Sequence, residues 1–171
     1  DSSEIFAKFS RKCRFFLMEN KISSLILSFK EMNALSENKT KAAIPRITDE
    51  EYTDKYIESL AYYQNMEWDL SLNGFNYLMG VDNNHDLADN CQYWIGEVYY
   101  ALKDYRRSFK EFEKVSSFLG TNKADDAQFK MGLCYMNIGE NDLAKNEFKK
   151  FLELYPNSEY YQRAQGYLRQ D

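Results

Sequence analysis

The stretch LADNCQYWIGEVYYALKDYRRSFKEFEKV, residues 87–115, decides the fold because its small and aromatic residues recur at a fixed distance along the chain. A forward shift of 36 residues places Gly96 on Gly132, Tyr99 on Tyr135, Phe112 on Phe148 and Ile95 on Met131. A backward shift of 37 residues places Tyr99 on Tyr62, Tyr105 on Trp68, Phe112 on Phe75 and Val115 on Leu78. A period of this length is typical of stacked structural repeats, so the sequence predicts three copies of one unit.

The glycines of these copies predict pairs of closely packed helices. Two antiparallel helices approach most closely where one of them presents a very small residue, and we assign Gly96 and Gly132 to such contacts. Ser108 is the matching small residue on the second helix, and the ring of Phe112 fills the space beside it. Ser59 occupies the glycine position of the first copy, which is therefore the weakest of the three.

Start and stop signals for helices set the boundaries of the units. Residues 48–51, Thr-Asp-Glu-Glu, read as a capping box that begins the first helix. Gly139 suits a left-handed helix stop inside the last copy, and Gly120 and Pro156 mark the ends of the second and third copies. The predicted repeats are 52–86, 89–123 and 125–158, followed by a solvent-facing cap helix at 158–170. The predicted fold class is thus all-α, a solenoid of three helix–turn–helix repeats within a domain spanning 46–171.

This pattern of small and aromatic residues resembles the tetratricopeptide repeat. The segments YYQNMEWDLSLNGFNYL (62–78), DLADNCQYWIGEVYYALKDY (86–105) and 124–165 also resemble the C-terminal domain of the YbgF/CpoB family of Tol–Pal-associated proteins. That resemblance covers roughly residues 50–171. It implies a periplasmic scaffold that engages TolA and coordinates envelope constriction with cell-wall synthesis during division.

Residues 1–45 form a predicted separate region with its own apolar pattern. Apolar side chains keep helical spacing across 3–19 and again across 21–36, which predicts a helical hairpin followed by the linker SENKTKAAIPR, 36–46. One long helix is the alternative interpretation. Apolar ridges this rich in Phe must be covered, either on the first repeat as a degenerate fourth unit or by another chain. The second possibility makes a homo-oligomer a candidate assembly.

Charge and composition limit the classes of partner. The net charge is −5, with eight basic and five acidic side chains in 1–45 and fourteen basic and twenty-two acidic in 46–171. Nucleic acid is therefore not expected as a partner, because phosphate binding requires clustered Lys and Arg. No apolar run is long enough for a membrane span, so no membrane insertion is expected of this fragment.

No arrangement of residues points to catalysis, and no cofactor or metal is predicted. Cys13, Cys91 and Cys134 are widely spaced and read as small buried residues. His85 lies in a loop between repeats, where a solvated role is expected. The surrounding turn begins like a calcium loop, but Leu87 and Tyr93 stand where Gly and Glu are required.

The resemblance to tetratricopeptide repeats implies a concave groove lined by positions 2, 5, 9, 12 and 13 of each repeat. These positions contain no Lys or Arg, and they are rich in Tyr, Leu and Met. Thr53 and Ala101 occupy two of them, and the remaining thirteen are the candidate partner-binding residues Tyr56, Leu60, Tyr63, Gln64, Asn90, Tyr93, Glu97, Tyr100, Asp126, Phe129, Leu133, Met136 and Asn137.

Such a surface favours an apolar or aromatic peptide oriented by Tyr hydroxyl and amide groups. Glu97 and Asp126 would favour a partner that carries Lys or Arg. Coverage of some rings by the N-terminal hairpin is the alternative interpretation. The sequence therefore predicts a non-enzymatic protein-interaction scaffold, and the resemblance to YbgF/CpoB proteins implies a setting in the bacterial cell envelope with a TolA-like partner. The alternative is an envelope or flagellar-motor assembly subunit that oligomerises through its N-terminal helices.

Overall fold

The computed structural model describes residues 47–169, and the helical hairpin and linker predicted for residues 1–45 lie outside this range. The described chain contains seven α-helices and no strand, which confirms the predicted all-α fold class. The helices are α1 (Asp49–Gln64), α2 (Trp68–Val81), α3 (Ala88–Ala101), α4 (Tyr105–Val115), α5 (Ala124–Ile138), α6 (Asn141–Leu154) and α7 (Tyr161–Leu168). Each helix packs against the next, so α1–α2, α3–α4 and α5–α6 form three consecutive helix pairs, and α7 closes the third.

The start of α1 shows the predicted capping box. The Glu51 amide donates to the Thr48 hydroxyl at 3.2 Å, and the Thr48 amide donates to the Glu51 carboxylate at 2.8 Å. The two bonds satisfy backbone N–H groups that have no partner within the helix. The capping-box signal in the sequence therefore correctly identified the start of the first helix.

A left-handed residue lies in the turn between the two helices of every pair. Gly139 has the predicted positive φ of 89°, and Met66 and Lys103 occupy the same turn position with φ of 60° each. Only glycine adopts this conformation without steric cost from a Cβ atom. The first two turns therefore carry a small strain that the third one lacks, and the absence of glycine hid them from the sequence analysis.

The space left by the repeat glycines is filled by a phenylalanine ring. An added Cβ atom on Gly96 would lie 2.6 Å from Cε1 of Phe112, whose ring is 1% exposed. The Ser108 hydroxyl donates to the Gly96 carbonyl at 2.9 Å, which joins α3 to α4 at this point. We expected the glycines to admit a neighbouring backbone, whereas the closest contact is made by the ring.

The first repeat achieves a close approach of its two helices with a different pair of small residues. Ser59 on α1 occupies the glycine position and its hydroxyl donates to the Lys55 carbonyl at 2.7 Å. The glycine of this pair is Gly74 on α2, and a Cβ atom there would overlap the Ser59 hydroxyl. The first copy is therefore a compensated variant of the repeat, although its sequence match is the weakest.

The loops between repeats are fastened to the start of the preceding helix pair. The Thr121 hydroxyl donates to Asp89 and the Ser158 hydroxyl to Asp125, both at 2.7 Å. At the equivalent place in the first repeat, His85 stacks on Tyr52 with a centroid distance of 3.7 Å. The expectation of a solvated His85 is thus wrong, because its side chain is 12% exposed and packed on an aromatic ring.

The last helix covers the end of the array. Observed α7 spans Tyr161–Leu168, which is shorter than the predicted helix at 158–170. Ala164 is fully buried against the third helix pair, and Phe129, Phe148 and Phe151 belong to the same apolar cluster. Polar or charged side chains of α7 remain on its outer side, as expected of a cap.

Candidate partner-binding face

The predicted groove positions lie on the first helices of the three pairs, and side chains from neighbouring repeats are in contact there. Trp94 Nε1 on α3 donates to the Tyr56 hydroxyl on α1 at 3.0 Å. Asn137 Nδ2 on α5 donates to the Tyr100 hydroxyl on α3 at 2.9 Å. These bonds join residues 37 or 38 positions apart, so the repeat register aligns the predicted residues across α1, α3 and α5. We call this surface the groove face.

The candidate residues differ widely in exposure. Gln64 and Asn137 are exposed, whereas Tyr93, Glu97 and Phe129 are buried at 8%, 8% and 2% exposure. The remaining eight are half-buried, namely Tyr56, Leu60, Tyr63, Asn90, Tyr100, Asp126, Leu133 and Met136. The three buried residues support the groove face from below and do not offer it an open contact surface.

Phe129 is buried because the C-terminal cap lies on it. The Tyr160 ring stacks on it with centroids 4.8 Å apart and an interplanar angle of 12°, and the Arg163 guanidinium carbon lies 5.1 Å from its centroid. The Tyr167 ring adds a further contact at 6.2 Å. The N-terminal half of α5 is therefore covered at Phe129 by the C-terminal residues of this chain. The assignment of Phe129 as a partner contact is wrong for this reason.

Tyr93 is enclosed by the second repeat. Its ring packs against Phe112 at 5.4 Å and Trp94 at 5.7 Å, and Lys123 Nζ lies 5.5 Å from its centroid. Burial raises the pKa of Tyr93 far above its ordinary value, with Glu97 and Asp126 contributing less. Truncating this ring would damage the core before it affected any surface contact.

Glu97 forms a nearly buried ion pair across the second and third repeats. Lys130 Nζ lies 2.7 Å from Oε1 and 2.9 Å from Oε2 of Glu97, and the side chains are 23% and 10% exposed. The Tyr63 hydroxyl also donates to Glu97 at 3.5 Å, and Lys130 lies 4.7 Å from the Tyr100 ring centroid. The expected attraction of Glu97 for a basic partner is therefore satisfied within the chain.

Asp126 is also paired internally, since Lys123 Nζ lies 3.4 Å from its Oδ2. The five predicted groove positions of each repeat contain no Lys or Arg. Lys130 follows the groove position Phe129 in the sequence. Its ion pair with Glu97 joins the third repeat to the second, so the sequence of one repeat does not reveal it. The groove face is therefore a surface on which the carboxylates are matched by lysines of the same chain.

What remains open is the part of the groove face formed by the C-terminal halves of the three helices. We call it the open rim, and it consists of Leu60, Tyr63, Gln64, Tyr100, Ala101, Leu133, Met136 and Asn137, all of them half-buried or exposed. It offers apolar and aromatic area together with two exposed amide groups. Burial raises the pKa of Tyr63 to about 12, with Glu97 adding to the shift, so this phenol remains a hydrogen-bond donor at neutral pH.

Among residues 47–169, no group of three or more His, Cys, Asp or Glu side chains is arranged to hold a metal ion. None of the helices in that range is both long enough and apolar enough to span a membrane. The thiols of Cys91 and Cys134 are fully buried, and burial raises their pKa values to about 12 and about 11.

Comparison with known proteins assigns the fold. The tetratricopeptide repeat family model matches residues 126–158. The Arabidopsis OM64 TPR domain is 16% identical, with a TM-score of 0.58 over 71% of this chain and 96% of that domain. The first TPR of Spaghetti (RPAP3), solved with the HSP90 peptide SRMEEVD, is 15% identical, with a TM-score of 0.58 over 73% of this chain and 93% of that one. No curated protein sequence matches this chain significantly.

The described residues therefore form a tetratricopeptide-type α-solenoid. Its three helix pairs and C-terminal helix place the open rim on the helices that line the groove in this class.

Proposed function

We propose that this protein is a non-enzymatic interaction scaffold that binds an extended segment of a partner protein on its open rim. The observation that carries the proposal is the combination of apolar, aromatic and amide groups left accessible across three aligned helices. Tyr63, Leu133 and Met136 offer side-chain contact area, and Gln64 and Asn137 can fix the orientation of a bound chain.

The occupant that fits this rim best is uncharged. The Glu97 carboxylate is paired with Lys130 and the Asp126 carboxylate with Lys123, so neither acid is free for a basic ligand. The Spaghetti domain was solved with the acidic peptide SRMEEVD, whereas Lys130 here is held by Glu97 on the groove face. Binding should therefore depend weakly on ionic strength, since no counter-charge is presented to the ligand.

The setting we propose is the bacterial cell envelope, with a periplasmic location and a role similar to that of YbgF/CpoB proteins in the Tol–Pal system. The support is the resemblance of residues 86–105 and the two flanking segments to that family. A TolA-like envelope protein is the proposed partner. Titrating purified protein with the soluble domain of such a partner tests this assignment separately from peptide binding in general.

A second proposal concerns assembly. The apolar helical pattern within residues 3–36 supports a structural subunit that oligomerises through this region. Light scattering on the full chain and on a variant lacking residues 1–45 tests it. A monomeric mass for both proteins contradicts the assembly role.

The interaction role is tested with a random twelve-residue peptide library displayed on phage and selected on the full chain. Peptides that bind should lose at least about tenfold in affinity, about 1.4 kcal/mol, with Met136→Glu, which places a charge on the open rim. Leu143→Glu is the matched control, because Leu143 is 42% exposed on α6 and is not part of the rim. If no peptide is selected, or if both variants bind equally, the proposal is wrong.

A further inference from the structure

Two residues of the open rim form a hydrogen-bonded pair whose remaining groups are complementary. Asn137 Nδ2 on α5 donates to the Tyr100 hydroxyl on α3 at 2.9 Å and to the Leu133 carbonyl at 2.8 Å. Both hydrogens of this amide are therefore used inside the protein. Asn137 is exposed and Tyr100 is half-buried, so the pair lies at the protein surface.

Each partner of this pair keeps one group available. The Tyr100 oxygen acts as the acceptor for Asn137, which leaves its own O–H as a donor. The Asn137 Oδ1 atom makes no hydrogen bond to any residue between 47 and 169. Burial raises the pKa of Tyr100, while the Asn137 hydrogen bond lowers it, and the net direction is upward. The hydroxyl therefore keeps its proton at neutral pH.

A donor beside an acceptor matches the amide group and rejects charged groups. A carboxylate accepts from Tyr100 but has no hydrogen for Asn137 Oδ1, and an ammonium group donates to Asn137 but cannot accept from Tyr100. An amide supplies both a C=O and an N–H. In an extended chain, one residue points its own N–H and C=O to the same side, and a side-chain carboxamide carries the same two groups.

We propose that Tyr100 and Asn137 together bind one main-chain residue of an extended partner segment, whose C=O accepts from the Tyr100 O–H and whose N–H donates to Asn137 Oδ1. This inference rests on the proposed interaction function and defines which chemistry the rim recognises. The Lys130–Glu97 ion pair supports this proposal. Lys130 lies 4.7 Å from the Tyr100 ring centroid, but Glu97 matches its charge, so the cation beside Tyr100 does not call for an anionic ligand. An Asn or Gln side chain of the partner carries the same two groups, and its binding in place of the main chain is the other outcome of the test.

The test uses synthetic peptides selected on the full chain from the twelve-residue library. Tyr100→Phe removes the donor and keeps the ring, and Asn137→Asp removes the hydrogens that bond Tyr100. Each variant should weaken peptide binding about three- to tenfold, as expected for loss of one or two hydrogen bonds. Circular dichroism and thermal unfolding verify that each variant is folded.

The chain offers matched controls for both substitutions. Asn76 Nδ2 on α2 donates to the Leu72 carbonyl at 2.8 Å, as Asn137 does to Leu133, so Asn76→Asp repeats the same local change away from the rim. Tyr77 is 46% exposed on α2, and Tyr77→Phe is the control for the phenol. Peptide affinity with these controls should change less than about twofold.

The two sources of the amide are distinguished on the peptide. Methylating each main-chain nitrogen in turn should remove binding energy at one position if the main chain is bound, and replacing Gln or Asn by Glu or Asp should do so if a side chain is bound. That loss should disappear in Tyr100→Phe and Asn137→Asp. Selected peptides that bind wild type and both rim variants equally would overturn this inference and leave the interaction function standing. Failure to select any peptide overturns both.

Discussion

Replacing Gly96 by alanine should destabilise the protein, although the same change elsewhere in a helix stabilises it. An ideal Cβ atom at Gly96 lies 2.6 Å from Cε1, 2.7 Å from Cδ1 and 3.0 Å from Cζ of Phe112. Ordinary contacts between carbon atoms are about 3.5–4.0 Å, so the ring must move by roughly 1 Å. Phe112 is 1% exposed and packs on Tyr93 at 5.4 Å, which leaves it little room to retreat.

The expected magnitude is the difference between two opposing effects. Overpacking a well-packed core costs about 1–3 kcal/mol, whereas alanine gains about 1 kcal/mol over glycine in a helix. Gly96→Ala should therefore lower the free energy of unfolding by up to about 2 kcal/mol. Gly132→Ala should behave alike, because its Cβ atom would lie 2.6 Å from Cε1 of Phe148.

The assay is urea denaturation followed by circular dichroism, with Gly80→Ala as the matched control. Gly80 is exposed on α2 and has no atom within 4 Å of an added Cβ, so its replacement should stabilise the protein by about 0.5–1 kcal/mol. Phe112→Leu should couple to Gly96→Ala, and the double variant should lose less than the sum of the single losses. Equal stabilisation by Gly96→Ala and Gly80→Ala would refute the assignment of Gly96 to ring packing.

Further predictions concern the turns and the thiols. Lys103→Gly should raise the free energy of unfolding by about 0.5–1 kcal/mol, because Lys103 has a φ of 60°. Gly139→Ala should lower the free energy of unfolding by a similar amount. Urea denaturation measures both, and no difference from wild type contradicts the prediction. In a Cys13→Ser variant, Cys91 and Cys134 should not react with iodoacetamide at pH 8 until urea is added, because both are buried; rapid native labelling by mass spectrometry contradicts this. The free energy of unfolding should decrease as pH rises from about 9 to about 12, because the unfolded thiols ionise near 9.0 while burial raises the folded pKa values to about 12 and about 11. A free energy of unfolding that is constant across this range contradicts the last prediction.

The fold was predictable because it depends on residues with strong local or periodic signals. The capping box at Thr48 and the left-handed Gly139 act within a few residues, so the sequence alone identifies them. The repeated glycines and Phe residues predict close helix pairs because a glycine on one helix leaves room for a ring from the next. Met66 and Lys103 were missed because neither residue type signals a positive φ, and the helix pairing imposes that conformation on them.

The groove face was predictable in register but not in exposure. Repeat spacing placed the predicted positions of α1, α3 and α5 on one face, and hydrogen bonds such as that between Asn137 and Tyr100 join neighbouring helices there. The exposure of each residue depends on which side chains of the following repeat or cap cover it, and these side chains differ between the repeats. Phe129 lies beneath Tyr160 of the cap, which could be recognised only once the path of α7 was known.

The two helices of each pair are joined at equivalent positions, but the first pair uses different side chains from the two later pairs. Gln92 Nε2 donates to Glu111 at 2.8 Å and Gln128 Nε2 to Glu147 at 2.6 Å, so one amide–carboxylate bond joins the two helices of both later pairs. In the first pair the same two places are Lys55 and Gly74.

Lys55 instead forms an ion pair with Glu58 on its own helix, at 2.6 Å. Close packing of Gly74 on Ser59 therefore replaces the missing polar bond between α1 and α2. Aligning residue types would label the first repeat as defective, whereas aligning contacts shows a complete unit. Contacts between repeats also join residues of the open rim, and its specificity therefore resides in pairs such as Tyr100 and Asn137 more than in any groove position of a single repeat.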